Sequence, residues 1–319
     1  NVGSAFEHGS GQGTVLTMSD FEVNDASESC FDFADNSEVT LRDGEMNDCN
    51  SAGTLTHGAV MVMAGVTSAT ASSAGSLILE NVDISDSRVN LISVDFATVW
   101  ISNVTATSAQ AEAGTVLTSS GDGTGSSMYI YNMDADGYSS AAIHALDSIN
   151  MEMVDWGSAD VSMSPGGTTS TAAGPSGQQS ASIDDFTSGD LTMARMAPMM
   201  NDLDIGALVI SGNSPGGDSI VGENWDTEGI SVSGCGYAVV ADTVTTDAIR
   251  GSCFNAISPN NIQLSNVDAT YTGTTEAVYA RNSQITIGEG EITMPTTFDE
   301  MSKASTNGRI ILIDVAQNG

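Results

Sequence analysis

Three nine-residue stretches of this chain share one pattern: LILENVDIS (77–85), VWISNVTAT (99–107) and IQLSNVDAT (262–270). Each reads apolar–x–apolar–x–Asn–Val. The first two begin 22 residues apart and the third lies far downstream. Apolar residues two positions apart define one face of a β-strand; here they are Leu77/Leu79, Val99/Ile101 and Ile262/Leu264. A single short strand of this kind cannot bury its apolar face. Stacking each unit on the next buries it, and the result is a set of parallel sheets.

Further units follow when the chain is aligned on the residue after apolar–x–apolar–x. The anchors are Asp20 (LTMSDF), Asp43 (VTLRDG), Asn81, Asn103, Asn132 (MYIYNM), Met153 (INMEMV), Asp185 (ASIDDF), Gly212 (LVISGN), Gly234 (ISVSGC), Asn266 and Glu289 (ITIGEG). Most intervals fall near 22 residues, and the longer ones have room for looped-out insertions. A second short apolar run follows several anchors, as in RVNLISVDF, AAIHALDS, YAVVADT and AVYARNS. Helical periodicity is nearly absent. The expected fold is therefore all-β: a parallel β-helix, or solenoid, of roughly 11–12 coils forming one domain over 1–319. MSPGGTTSTAAGPSGQQSA (163–181) reads as an inserted low-complexity loop. An up-and-down β-sandwich would call for Asn-Gly hairpin turns, which are scarce.

With this strand spacing and an Asn after the first strand, the chain resembles the right-handed parallel β-helix proteins of the pectate-lyase-like superfamily, from about Gly13 to Val315. The resemblance implies a ladder of asparagines stacked inside the coil, formed here by Asn81, Asn103 and Asn132. An inward ladder competes with the one Asn-x-Ser/Thr sequon, Asn103-Val104-Thr105, because an inward amide cannot carry a glycan. It also implies polysaccharide cleavage, for which lyases use Ca²⁺-binding acids with clustered basic residues and hydrolases use several Asp with a Gly-His-Gly. Here Arg42, Arg88, Arg195, Arg250, Arg281 and Arg309 are scattered and no Gly-His-Gly occurs. Asp184 and Asp185 of SIDDF are adjacent, and in a regular strand they point to opposite faces.

Charge narrows the partners. The chain holds 41 acidic and 7 basic residues for a formal charge of −34, and Lys303 is its one lysine. Phosphate recognition runs on clustered Lys and Arg, so nucleic acid is excluded as a partner, and anionic lipid is repelled. An acidic, lysine-poor surface suits high-salt media, where screening removes self-repulsion. Apolar runs are strand-sized, well short of the ~18–20 residues of a membrane helix, so this segment is expected not to insert in a membrane. The chain starts at Asn1 without a leader and reads as a segment of a larger secreted protein.

Four cysteines form two close pairs, Cys30 with Cys49 and Cys235 with Cys253. Each interval is about one short coil, and CGYAVVADT (235–243) aligns with CFNAISPNN (253–261) from its Cys. Equivalent positions in neighbouring coils lie ~4.8 Å apart, within the reach of a disulfide. Four cysteines permit three connectivities; the coil spacing selects Cys30–Cys49 and Cys235–Cys253. Disulfides imply an oxidising, extracellular or cell-surface location.

One surface feature stands out. The x positions of the first strands face solvent, which lines up Trp100, Tyr129 and Tyr131 between Glu80 and Glu152. Exposed aromatics beside carboxylates suit a sugar or a protein contact. Asp83, Asp134 and Asp155 are expected just beyond, at the turn. Asp83, Asp134 and Asp122 of GDGTG are the candidate ligands for Ca²⁺, the one cofactor the chain suggests. No catalytic set can be assigned. The expected function is a secreted, acidic structural or adhesive β-helix of the cell surface that assembles with itself end to end into a filament or surface layer. The competing expectation is an extracellular enzyme that binds or cleaves polysaccharide.

Overall fold

A computed structural model describes residues 3–8, 14–33, 37–52, 58–62, 75–87, 90–95, 98–107, 117–120, 126–136, 143–145, 148–157, 161–163, 180–194, 196–212, 214, 219–255, 257–295 and 301–318. Every regular element among them is a β-strand. The strands are parallel and stacked as a β-solenoid. The chain divides into two compact units, Asn1–Gly177 and Gln178–Gly319.

The first unit holds β1 (Phe6–His8), β2 (Val15–Asn24), β3 (Phe31–Phe33), β4 (Glu38–Asn47), β5 (Gly58–Val62), β6 (Ser76–Ser85), β7 (Asn90–Asp95), β8 (Thr98–Thr107), β9 (Leu117–Ser120), β10 (Ser126–Asp136), β11 (Ile143–Ala145), β12 (Ser148–Gly157) and β13 (Val161–Met163). The long strands β2, β4, β6, β8, β10 and β12 pair in parallel in that order. The short strands β1, β3, β5, β7, β9, β11 and β13 form a second parallel series.

The second unit holds β14 (Ser180–Ser188), β15 (Leu191–Ala194), β16 (Met199–Ser211), β17 (Ser219–Val232), β18 (Ala238–Thr246), β19 (Ile249–Ser252), β20 (Asn260–Thr270), β21 (Val278–Arg281), β22 (Ser283–Thr293), β23 (Ser302–Ser305) and β24 (Arg309–Asn318). Its long ladder runs β14, β16, β17, β18, β20, β22, β24. The C-terminal parts of β16 and β17 also join the short series, against β15 and β19.

The long strands bend from one wall to the next, β16 and β17 a second time before they join the short series, and the sequence pattern explains where the first bend falls. In β6, Leu77 and Leu79 are buried, then Val82 and Ile84. The two-residue alternation therefore slips by one at Glu80–Asn81. A residue in the left-handed backbone region absorbs the slip, turning the strand from one wall into the next. The residues that do so are Asp20, Asp43, Asn81, Asn103 and Asn132 in the first unit, and Asp185, Asp202, Asn224, Thr243, Asn266, Glu289 and Asp314 in the second, all with φ between 49° and 57°. Asn and Asp tolerate this region because their short polar side chains bond locally, whereas most L-residues lose ~1–2 kcal/mol there.

The asparagine ladder forms, but on the outside. Asn132 Nδ2 donates to Asn103 Oδ1 at 2.9 Å, Asn103 Nδ2 to Asn81 Oδ1 at 3.0 Å, and Asn81 Nδ2 to Asp43 Oδ1 at 2.8 Å. All three asparagines are exposed, because the left-handed bend turns its own side chain away from the core. The ladder and the Asn103 sequon therefore occupy the same outer surface. A buried amide of the kind the resemblance implies sits elsewhere. Asn260 is fully buried, donates to Gly234 O at 2.6 Å and accepts from the Tyr237 N–H.

Three further expectations change. The long strands do not divide into eleven or twelve coils on the expected anchors. Gly212 and Gly234 follow the parts of β16 and β17 that join the short series, and the bends there are Asp202, Asn224 and Thr243. Met153 is likewise displaced, since Tyr131 pairs with Val154 and Met133 with Trp156, which puts Asp155 opposite Asn132. The alignment of CGYAVVADT with CFNAISPNN also fails beyond the cysteines, because Ala238 pairs with Asn261. Most of the proposed 163–181 loop lies outside the described residues.

Both disulfides form as the coil spacing indicates. Cys30–Cys49 and Cys235–Cys253 have Cα separations of 5.3 and 4.9 Å and link successive rungs at buried corners. Each closes a loop of nearly 20 residues, worth ~3 kcal/mol in the loop-entropy account.

Substitutions at the bends separate backbone strain from the ladder. Asn103→Gly keeps the left-handed conformation and loses two amide bonds, so it lowers stability by about 1–2 kcal/mol. Asn103→Ala adds the strain, a further ~1–2 kcal/mol. Thr243 is β-branched in a conformation that disfavours it, and Thr243→Asn raises stability by about 1 kcal/mol. Equilibrium urea unfolding checks all three. Equal losses for Gly and Ala at 103, or a loss for Thr243→Asn, would contradict the role assigned to the bend.

Candidate functional site

In the first unit, the residues before the bend alternate inward and outward. Val99 and Ile101 are buried, so Trp100 and Ser102 face out, and the same phase holds in β6 and β10. Parallel register then stacks the outward positions. One row runs Thr17, Thr40, Ile78, Trp100, Tyr129, Glu152. Its neighbour runs Ser19, Arg42, Glu80, Ser102, Tyr131, Val154.

The aromatics named from sequence meet. Trp100 lies 5.6 Å from the Tyr129 ring and 5.1 Å from the Tyr131 ring, tilted 42° to each. Trp100 remains 42% exposed and both tyrosines are half-buried. Glu80 flanks them, and its Oε2 accepts from Arg42 Nε at 2.7 Å. Glu152 is the strand partner of Tyr129.

Asp83 and Asp134 do not join the aromatics. They lie past the bend on the second wall, exposed, with Thr105 between them in the row Glu22, Glu45, Asp83, Thr105, Asp134. Asp155 falls opposite the bend residue Asn132 in the register of β10 and β12, and Asp122 lies outside the described residues. Among the described residues, no group of three or more His, Cys, Asp or Glu could hold a metal ion. Asp184 and Asp185 do not take opposite faces as a regular strand would place them. Asp184 faces out half-buried, and Asp185 is exposed at the bend with φ 50°. Two other basic groups have partners: Lys303 Nζ meets Glu276 Oε1 at 3.0 Å, and Arg250 bonds Thr275 Oγ1 and Glu276 O.

The equivalent second-wall row of the second unit was not anticipated. Thr187, Asp204, Asp226, Thr245 and Asp268 are strand partners in succession. With Glu228 and Asp247 they line an open groove of about 370 Å³. Thr227 shapes its floor; it is 4% exposed and its hydroxyl donates to Gly206 O. The signal in sequence is a triplet, anchor–apolar–acid, as in NVD (81–83), NMD (132–134), DLD (202–204), NWD (224–226) and NVD (266–268). Placing anchors at Gly212 and Gly234 hid two of these. On the first wall of this unit Met199, Val221 and Val240 form an exposed apolar row, 50%, 45% and 40% exposed.

The ladder continues in modified form here. Asn224 Nδ2 donates to Asp202 Oδ1 at 2.8 Å. At Thr243 the amide is missing, and Asn266 instead reaches Asp242 Oδ1 at 2.7 Å, joined by Ser265 Oγ. Hydrogen bonds from Ser265, then Asn266, hold the Asp242 carboxyl below its ordinary pKa. A lowered folded-state pKa means this contribution to stability is present above the usual aspartate range and disappears as pH falls through the lowered value.

No family model, no curated protein and no solved structure matches the chain.

Both acidic rows place carboxylates opposite carboxylates, Glu22–Glu45–Asp83 in one unit and Asp204–Asp226 in the other. Like charges directly across a sheet destabilise it, and salt screens them. The thermal unfolding midpoint is therefore expected to rise steadily with sodium chloride. A midpoint that is flat or falls with salt would rule out self-repulsion along these rows.

Proposed function

We propose that the chain is an extracellular, acidic β-solenoid with a structural or adhesive role at the cell surface, in a high-salt environment. The observation that carries this reading is the rung-by-rung regularity. Within each unit backbone ladders hold successive rungs together; the amide ladder over Asp43, Asn81 and Asn103 adds to them in the first unit, and one disulfide joins two rungs in each unit, as in repeat scaffolds whose units contact only their neighbours. The disulfides fit an oxidising environment. The formal charge of −34 supports solubility where salt is abundant.

End-to-end assembly extends this reading. Among the described residues, β24 pairs along its length with β22, and its Ile310, Ile311 and Leu312 are only half-buried. Its other edge is a template for a further rung, whether from the continuing chain or from a neighbouring copy.

A second reading, polysaccharide cleavage, is favoured by the acidic groove that holds Asp204, Asp226 and Asp268. The resemblance to pectate-lyase-like proteins points the same way, though by fold alone.

Electron microscopy and light scattering of the purified chain in molar salt, with a polysaccharide turnover assay with and without Ca²⁺, separate the two. The structural reading predicts rods that lengthen by end contacts and no turnover. Uniform monomers at high salt would remove the self-assembly element. Turnover that disappears in Asp226→Asn or Asp184→Asn would replace the structural reading with the enzymatic one.

A further inference from the structure

From the outer first wall of the first unit, we infer that Trp100, Tyr129 and Tyr131 form a stacking platform for an uncharged glycan. The inference names a ligand for the adhesive reading and rests on it. The rings brace each other, at 5.1 and 5.6 Å from Trp100. Trp100 keeps 42% of its surface in water, although its indole is among the side chains that gain most from burial. Ile78, Trp100 and Tyr129 are strand partners on consecutive rungs. Together with Ile78 the platform therefore runs along the stacking direction for two strand spacings, about 10 Å.

Size selects the class of partner. The exposed area of the three rings is about 150–250 Å², given Trp100's exposure, the half-buried tyrosines and the size of an aromatic side chain. A stable protein interface takes ~800 Å² from each side; Ile78 extends the platform by one rung, and beyond it Thr40 and the Arg42–Glu80 pair do not continue it as an apolar surface. A patch this small matches the C–H face of a few sugar rings. Ser102 and Tyr129 add hydroxyl groups to this face that suit sugar hydroxyls.

Charge selects within that class. Asp83, Asp134 and the bends beside the platform are acidic or amide residues, Arg42 is already held by Glu80, and the chain carries −34. An acidic polysaccharide is repelled, and an uncharged one is not. Binding through ring faces and hydroxyls also depends weakly on salt, unlike binding to the acidic rows.

The test is titration of the whole chain with oligosaccharides of glucose, mannose and N-acetylglucosamine, at low and at molar salt, with polygalacturonate for comparison. Tryptophan emission and calorimetry are the readouts. Trp225 is 1% exposed, so a change in its emission is not expected, and the titrations use a Trp156→Phe background so that the third tryptophan does not contribute. At least one uncharged series is expected to quench or shift the emission, with little salt dependence. Trp100→Ala is expected to weaken binding about tenfold or more, and Tyr129→Ala severalfold. Both side chains point outward, so the unfolding midpoint should hold; Tyr129→Ala serves if Trp100→Ala does not fold. The platform is overturned if no uncharged oligosaccharide binds, if binding is undiminished in both variants, or if polygalacturonate or a protein partner binds more tightly. Attachment of the chain to cell-surface material that persists in both variants overturns the platform and leaves the adhesive reading standing. Attachment lost in both variants together with oligosaccharide binding supports both.

Discussion

A single backbone constraint organises each unit. Every long strand must change walls without losing register with the strand on either side. A residue in the left-handed region does this by slipping the inward–outward alternation by one, so Leu77 and Leu79 face the core before Asn81, and Val82 and Ile84 after it. The conformation restricts the position to Asn, Asp and a few exceptions. It also turns the side chain outward, where amides and carboxylates of successive rungs come within hydrogen-bonding distance. Strain, ladder and wall change are therefore one feature seen at three scales.

The same slip distributes chemistry over the surface. Positions before the bend form an outer wall that accepts aromatic and aliphatic residues: Trp100 and Tyr129 in one unit, Met199, Val221 and Val240 in the other. Two residues after the bend lies a position that is repeatedly Asp, Glu or Thr, and parallel pairing turns it into a carboxylate row. An in-register solenoid multiplies whatever side chain occupies a given position. That is why a modest bias toward Asp produces concentrated negative charge, and why the two disulfides at buried corners reinforce a stack whose surface repels itself.

Much of this was legible in the sequence where local rules dominate. Apolar alternation located strands such as 77–79 and 99–101, the cysteine spacing selected both disulfides, and parallel stacking brought Trp100, Tyr129 and Tyr131 together. What was hidden depended on the sign of φ. Periodicity does not say that the bend turns Asn103 outward, nor that Asp184 and its neighbour Asp185 escape the opposite faces of a regular strand. Glycine misled for a related reason. Gly212 is in a left-handed conformation, as an anchor would be, yet it ends a segment of the short series, and only the pairing of Met199 with Val221 and Val240 identifies the rungs there. The acidic groove went unseen because its residues come from rungs read out of phase.

The ladder between bends is the part of this account most open to direct measurement, by a double-mutant cycle in urea unfolding. Glycine substitutions preserve the left-handed backbone, so Asn81→Gly with Asn103→Gly isolates the side-chain bond between neighbouring rungs. Asn81→Gly with Asn132→Gly probes a pair two rungs apart. The account predicts a coupling of about 0.5–1 kcal/mol for the first pair and near zero for the second. No coupling between Asn81 and Asn103, or equal coupling in both pairs, would contradict it.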